Sequence, residues 1–287
     1  MEEPTITIQE PINQKKKLNI IAIADNSEYG KAAVCHGAML AAVFNGSLTI
    51  VSKFGFSFED RHPKTHSEIW LQYVQEVVDH NIETIVLPHY YFPETLYLYA
   101  EETNTIMFVI GVDKSKTEGF FNLRRALRFI KGSRLPVMTV GRRLPDKDIY
   151  QHVILPLDID RQAKEKALWA GYFSRFYHAT IHILTNQYSD AGLKRQVGDN
   201  IAFVEKLYKN LEVQYVLERA HTRQDIDRYS IEYAPTVGAS LTVIMMTKFS
   251  TLGDLLTGKH EKHIIGNPQS LPVLCINQRD DLYVLCT

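Results

Sequence analysis

The chain contains its own first half twice. Residues 18–51 run LNIIAIADNSEYGKAAVCHGAMLAAVFNGSLTIV, and residues 151–184 run QHVILPLDIDRQAKEKALWAGYFSRFYHATIHIL. The two segments align without a gap at an offset of 133, with Asp25 on Asp158, Lys31 on Lys164 and Ile50 on Ile183. Identities are few. What repeats is an order: apolar run, Asp, polar turn, amphipathic stretch, apolar run. A second echo sets Leu135-Pro136-Val137-Met138 against Leu271-Pro272-Val273-Leu274, now offset by 136. The second copy is therefore 3 residues longer between these anchors. Two copies of one unit mean that a site has to be sought twice, and that either copy is free to lose it.

At 287 residues, each half is long enough to bury a core of its own. The expected division is a tail at 1–17 and domains at 18–145 and 146–287. The 32 Lys and Arg against 33 Asp and Glu give a net charge of −1. That balance argues against a general nucleic-acid binder, which needs an excess of basic surface to displace counterions. No run approaches the roughly 18 apolar residues of a membrane span, so membrane insertion is not expected. The N-terminal stretch is acidic and then basic, without an apolar core, and so is unlike a secretory signal; we read it as a mobile tail. Cys35, Cys275 and Cys286 show no paired spacing, and a reducing, cytoplasmic setting suits them.

The elements follow from periodicity. In the first copy, strands are expected at 20–24, 48–51, 84–87, 105–111 and 136–140. The intervening helices are expected at 32–43, 69–78, from Pro93 to about Glu102, and at 120–131. In the second, strands fall at 153–157, 180–184, 212–217, 241–246 and 272–276, with helices near 162–177, 192–210, 223–234 and 255–265. Leu282–Cys286 reads as a further edge strand. Alternating β and α with near-continuous apolar strands predicts a parallel sheet covered on both faces. The fold class is thus α/β, two open doubly wound Rossmann-like domains in tandem. Ligands in such sheets sit beyond the carboxyl ends of the strands. Asp25, Asp158 and the loops at 111–119 and 247–254 lie on that edge.

An Asp closing the first strand, a glycine-bearing loop after the fourth and a final strand opening with Leu-Pro-Val together resemble the universal stress protein family. The duplication resembles its tandem members, and the fold implied is of the adenine-nucleotide alpha-hydrolase type. VILPLDID at 153–160 and LLTGKHEKHIIGNPQSLPVLCIN at 255–277 carry the resemblance most strongly. It implies an adenine nucleotide, ATP or a relative, as ligand. Nucleotide-binding members use a loop of the form G-x2-G-x9-G-[ST], whose backbone N–H groups cradle phosphates.

In the second copy, alignment on Gly258 puts Met245 and Lys248 at the first two glycines and Lys259 at the hydroxyl position. In the first, Gly111 stands near the first glycine, Asp113 and Lys114 near the second, and the later glycine is gone. Both loops depart from the pattern. The positions implied to face a ligand are Asp25, Gly111 and Lys114 in one copy. In the other they are Pro156, Asp158, Thr247, Lys248, Gly258 and Lys259, with the lysines as point charges for phosphate.

The family's usual pairing edge predicts Val137–Val140 against Val273–Ile276, a pseudo-dimer within one chain; a homodimer beyond it stays open. The function implied is a stress-response ligand-sensing or adaptor protein. The alternative is a regulatory domain that binds no nucleotide and serves a protein partner such as an ion transporter.

Other patterns carry less. GDLLTGKH at 253–260 approaches a P-loop, but His260 replaces the magnesium-binding hydroxyl and the seven residues from Thr247 to Gly253 intervene between the strand and Asp254. His260, Glu261 and His263 give H-E-x-H, not the zinc-protease spacing, and no metal site is expected. The aromatics Tyr90, Tyr91, Phe92, Tyr97 and Tyr99 read as packing. Arg124, Arg125 and Arg128 make a helix-face stripe whose default reading is a solvated surface. No catalytic constellation emerges, so an enzyme is not expected, although weak ATPase activity stays open.

Overall fold

The buried apolar runs become strands and the amphipathic stretches become helices, largely in alternation. The structure, a computed structural model, describes residues 17–53, 63–79, 81–88, 93–115, 120–146, 148–159, 164–220, 225–246 and 259–277. The expected edge strand at 282–286, most of the near-P-loop segment, and Tyr90, Tyr91 and Phe92 lie outside these residues.

The first half runs β1 (Asn19–Asp25), α1 (Glu28–Val43), β2 (Ser47–Lys53), α2 (Pro63–Val77), β3 (Glu83–Pro88), α3 (Pro93–Glu102) and β4 (Thr105–Asp113), then β5 (Phe121–Asn122), α4 (Leu123–Gly132) and β6 (Val137–Val140). The second runs β7 (His152–Leu157), α5 (Lys164–Tyr177), β8 (Thr180–Asn186), α6 (Ala191–Asn210) and β9 (Tyr215–Ala220), then α7 (Ile226–Tyr233), β10 (Leu241–Met246), α8 (Lys259–Ile265) and β11 (Val273–Asn277).

Of the boundaries that differ from expectation, three have clear local reasons. Helix α2 begins six residues early, at Pro63, because proline is well suited to a first helical turn, where no intrahelical N–H is required. Strand β9 is displaced from 212–217 to Tyr215–Ala220. Here Leu211 and a positive-φ Glu212 close α6, and Val213 N–H donates back to Tyr208. Helix α7 begins at Ile226 because the Asp225 carboxylate caps it by accepting from Arg228 N–H.

Among the described residues the main sheet runs β3-β2-β1-β4-β6-β11-β10-β7-β8-β9, with the short β5 pairing only with β4. Every pairing inside each half is parallel. The halves join through β6 and β11, which pair antiparallel with Leu274 opposite Met138, as the family's pairing edge implied.

The seam is filled on both faces. One apolar cluster unites Ala38, Leu40 and Phe44 of the first half with Tyr150, Phe173 and Tyr177 of the second. The other unites Phe129 and Ile130 with Ile264 and Val273. Phe44 meets Phe176 edge-to-face at 4.9 Å between ring centres. Asn277, at the end of β11, donates to the carbonyls of Ile130 and Ser133, which satisfies acceptors at the end of α4.

A buried histidine secures the linker between the halves. His36 on α1 is wholly enclosed; its Nε2 lies 3.1 Å from the Arg143 carbonyl, and its Nδ1 meets the Tyr150 hydroxyl. A carbonyl only accepts, so Nε2 carries the proton and Nδ1 accepts from Tyr150 O–H. Burial pulls the His36 pKa down from 6.5 to about 4.

Candidate functional site

The carboxyl edge of each half presents the same aspartate in opposite circumstances. In the first half, Asp25 ends β1 and its carboxylate is consumed by its own chain. Oδ1 accepts from the backbone N–H of Ser27 at 3.0 Å and from the Ser27 hydroxyl. Oδ2 accepts from Phe120 N–H, which ties down the residue preceding β5. Ser27 is also the N-cap of α1, accepting from Gly30 N–H at 3.3 Å, so one short turn serves the strand end and the helix start together.

Two glycines let the start of α1 settle onto the sheet edge. A Cβ on Gly30 would lie 2.1 Å from the Asp25 carbonyl oxygen, and one on Gly111 would lie 2.0 Å from that of Tyr29. The Gly111 backbone is thus covered by the chain's own first helical turn. The Tyr29 hydroxyl reaches the fully buried Asp113, whose Oδ1 accepts from Ser115 N–H at 2.7 Å. Burial, followed by the charge and hydrogen bond of Asp113, raises the Tyr29 pKa. Lys114 points outward and is exposed.

In the second half, Asp158 follows β7. Its Oδ1 accepts from Ile159 N–H at 2.8 Å and from the Tyr188 hydroxyl; Asn200 of α6 donates to its backbone carbonyl at 2.6 Å. Among the described residues no group binds Oδ2. Burial, then the hydrogen bond and charge of Asp158, pushes the Tyr188 phenol up to about 12, so it stays a neutral donor.

Pro156 lies past the point where the β7–β10 ladder ends. The β1–β4 ladder runs as far as Ile23 against Ile110, whereas the β7–β10 ladder ends at Ile154 against Thr242, two aligned positions earlier. Pro156 aligns with Ile23 and offers no N–H to a ladder. Its pairing with β8 continues past it to Leu157 against Thr185. The carboxyl ends of β7 and β10 are therefore unpaired with each other where those of β1 and β4 are joined.

Thr247, Lys248 and Gly258 lie outside the described residues, and so does the side chain of Lys259, whose backbone starts α8. Among the described residues no cluster of three or more potential metal ligands occurs. No described helix is long and apolar enough to cross a membrane.

Sequence reasoning placed both aspartates and Gly111 at this edge of the sheet. It missed Gly30, Tyr29, Phe120, Tyr188 and Asn200, which reach the edge from other turns and helices. The one local signal was Asp25-x-Ser27-x-x-Gly30, a cap motif that marks how the first edge closes on itself.

No protein-family profile matches the chain, and no curated protein matches its sequence. Solved structures do match its fold. A universal stress protein from Archaeoglobus fulgidus DSM 4304 superposes with a TM-score of 0.64 at 11% identity, over 91% of this chain and 98% of that one. A functionally unknown protein from Pseudomonas aeruginosa PAO1 gives 0.62 at 13% identity, over 93% and 95%. One from Pseudomonas aeruginosa UCBPP-PA14, provisionally assigned as a universal stress protein, gives 0.63 at 13%, over the same shares. The chain is an α/β protein of the Rossmann-like class. Its fold is that of the universal stress proteins, and the match extends over both halves.

Proposed function

We propose that the chain is a ligand-sensing protein whose two halves have divided their work. The first half is a closed structural copy, and the second carries a nucleotide site at Asp158. The observation that supports this reading is the contrast between the aspartates: both oxygens of Asp25 are occupied by the chain, and among the described residues nothing occupies Oδ2 of Asp158. A ribose or an adenine amino group offers the donors that such an oxygen accepts. The β7–β10 ladder ends before Pro156, and Tyr188 supplies an aromatic surface at the same edge. Adenine nucleotides are the ligand class, with phosphate held by lysine charge in place of a glycine cradle. The role is sensing or adaptation, without a catalytic group.

The test is to denature purified protein, identify released small molecules by mass spectrometry, and titrate the emptied, refolded chain with ATP, ADP and AMP by calorimetry. The expected result is a single site per chain that Asp158→Ala abolishes. Absence of ligand and of heat from a chain with intact circular dichroism would overturn the reading, as would unchanged affinity in Asp158→Ala.

A further inference from the structure

A cavity of about 360 Å³ lies where the linker between the halves meets the amino ends of β10 and β11. Asp158 stands beyond the carboxyl end of β7, so the cavity is at the opposite edge of the second half's sheet. The turn before β10 contributes Pro235 and Ser240, the turn before β11 contributes Gln269 and Ser270, and the linker contributes Arg143 and Ile149. The chain fixes these walls itself. Asn267, buried in the turn between α8 and β11, donates through Nδ2 to the carbonyls of Ile264 and Leu271, and its Oδ1 accepts from Leu271 N–H at 2.9 Å. Ser270 is held there in a left-handed backbone conformation, φ 53°. The linker is anchored by His36, which donates to the Arg143 carbonyl at 3.1 Å.

The side chains of the lining offer donors, and several of its carbonyls are already occupied. Those of Ala234 and Pro235 accept from Ala239 and Gly238 N–H, that of Pro272 from Thr242 N–H, and that of Leu271 from Asn267. Ser240 Oγ accepts from Tyr150 N–H at 2.7 Å, which leaves its own proton to an acceptor. Among the described residues the Ser270 hydroxyl and the Gln269 amide make no hydrogen bond. Arg143 is the one charged side chain of the lining. It meets Asp146 at 3.3 Å with both side chains more than half exposed, so that pair contributes little and exchanges easily. A guanidinium so placed takes a carboxylate two bonds at a time.

We infer that this cavity binds a small organic monocarboxylic acid. Arg143 and the hydroxyls of Ser240 and Ser270 hold the carboxylate, and the apolar body lies against Ile149, Pro235 and Leu271. One guanidinium balances one negative charge, and among the lining residues no second cation stands ready for a phosphate dianion. The volume falls in the range of small-molecule sites, which combine apolar walls with a few placed polar groups. The cavity is independent of the nucleotide reading, as none of its residues belongs to the Asp158 edge.

The test uses the full chain and two probes followed by fluorine NMR, para-trifluoromethylbenzoate and para-trifluoromethylbenzyl alcohol, which share a body and differ in charge. Saturable binding of the benzoate is expected, roughly tenfold or more tighter than that of the alcohol. Arg143→Gln should weaken the benzoate by roughly tenfold or more and leave the alcohol within about twofold. Ala239→Leu, which narrows the cavity, should weaken both probes. The control Arg195→Gln, an exposed cation on α6, should leave the benzoate within about twofold. The melt of Arg143→Gln should match wild type, because the side chain is exposed and its ion pair weak. Lack of saturable benzoate binding, equal affinities for acid and alcohol, an unchanged benzoate affinity in Arg143→Gln, or an equal loss in the control would each overturn the inference.

Discussion

Acidification should loosen the linker through one side chain, His36. In the folded chain its pKa is about 4, pulled down by burial from 6.5. The direction follows from proton counting. Between those values the unfolded chain binds a proton that the folded chain refuses, so stability rises with pH across the window. The contribution is fully present above about pH 6.5 and is lost as pH falls toward 4. Each pH unit across the window is worth about 1.4 kcal/mol, so the full loss is about 3 kcal/mol, of which about 2 kcal/mol falls between roughly pH 7 and pH 5.

The comparison that isolates this residue from the other histidines is His36→Gln. Glutamine keeps one donor for Arg143 and one acceptor for Tyr150 but does not titrate. Urea unfolding of both proteins, followed by tryptophan fluorescence, gives free energies over the pH series. The wild type should lose about 2 kcal/mol more than His36→Gln between roughly pH 7 and pH 5. Parallel pH profiles for the two proteins would refute the argument that this imidazole is held neutral.

Two further predictions concern the closed edge. In Gly111→Ala the new methyl meets the Tyr29 carbonyl, a backbone group that cannot swing aside, and the loss should reach or exceed about 3 kcal/mol in urea unfolding; a loss below about 1 kcal/mol would mean that α1 does not sit on β4 as described. Asp25→Asn and Asp158→Asn should differ sharply in stability. The first disturbs three accepted hydrogen bonds on both oxygens and should cost about 2–4 kcal/mol, the second about 1 kcal/mol or less. Equal thermal shifts for the pair would contradict the asymmetry on which the proposed division of work rests.

The repeat, the alternation of strands and helices, and the positions of both aspartates are legible in the sequence because each rests on neighbours a few residues apart. Apolar periodicity determined which segments become strands, and the doubled Leu-Pro-Val determined that both halves end alike. Capping chemistry at Ser27 and Asp225 is equally local. The fate of the two edges is not. Asp25 and Asp158 head similar turns, yet one is sealed by Phe120 N–H from 95 residues away, and the other is touched among the described residues on a single oxygen, by Ile159 N–H and Tyr188. Gly111 looked like a ligand-cradle glycine, whereas its missing side chain accommodates the Tyr29 carbonyl.

The sequence by itself thus determined the elements and their duplication. Tertiary structure alone decided which copy closed on itself, because hydrogen-bond satisfaction at a sheet edge depends on segments brought together by the crossovers.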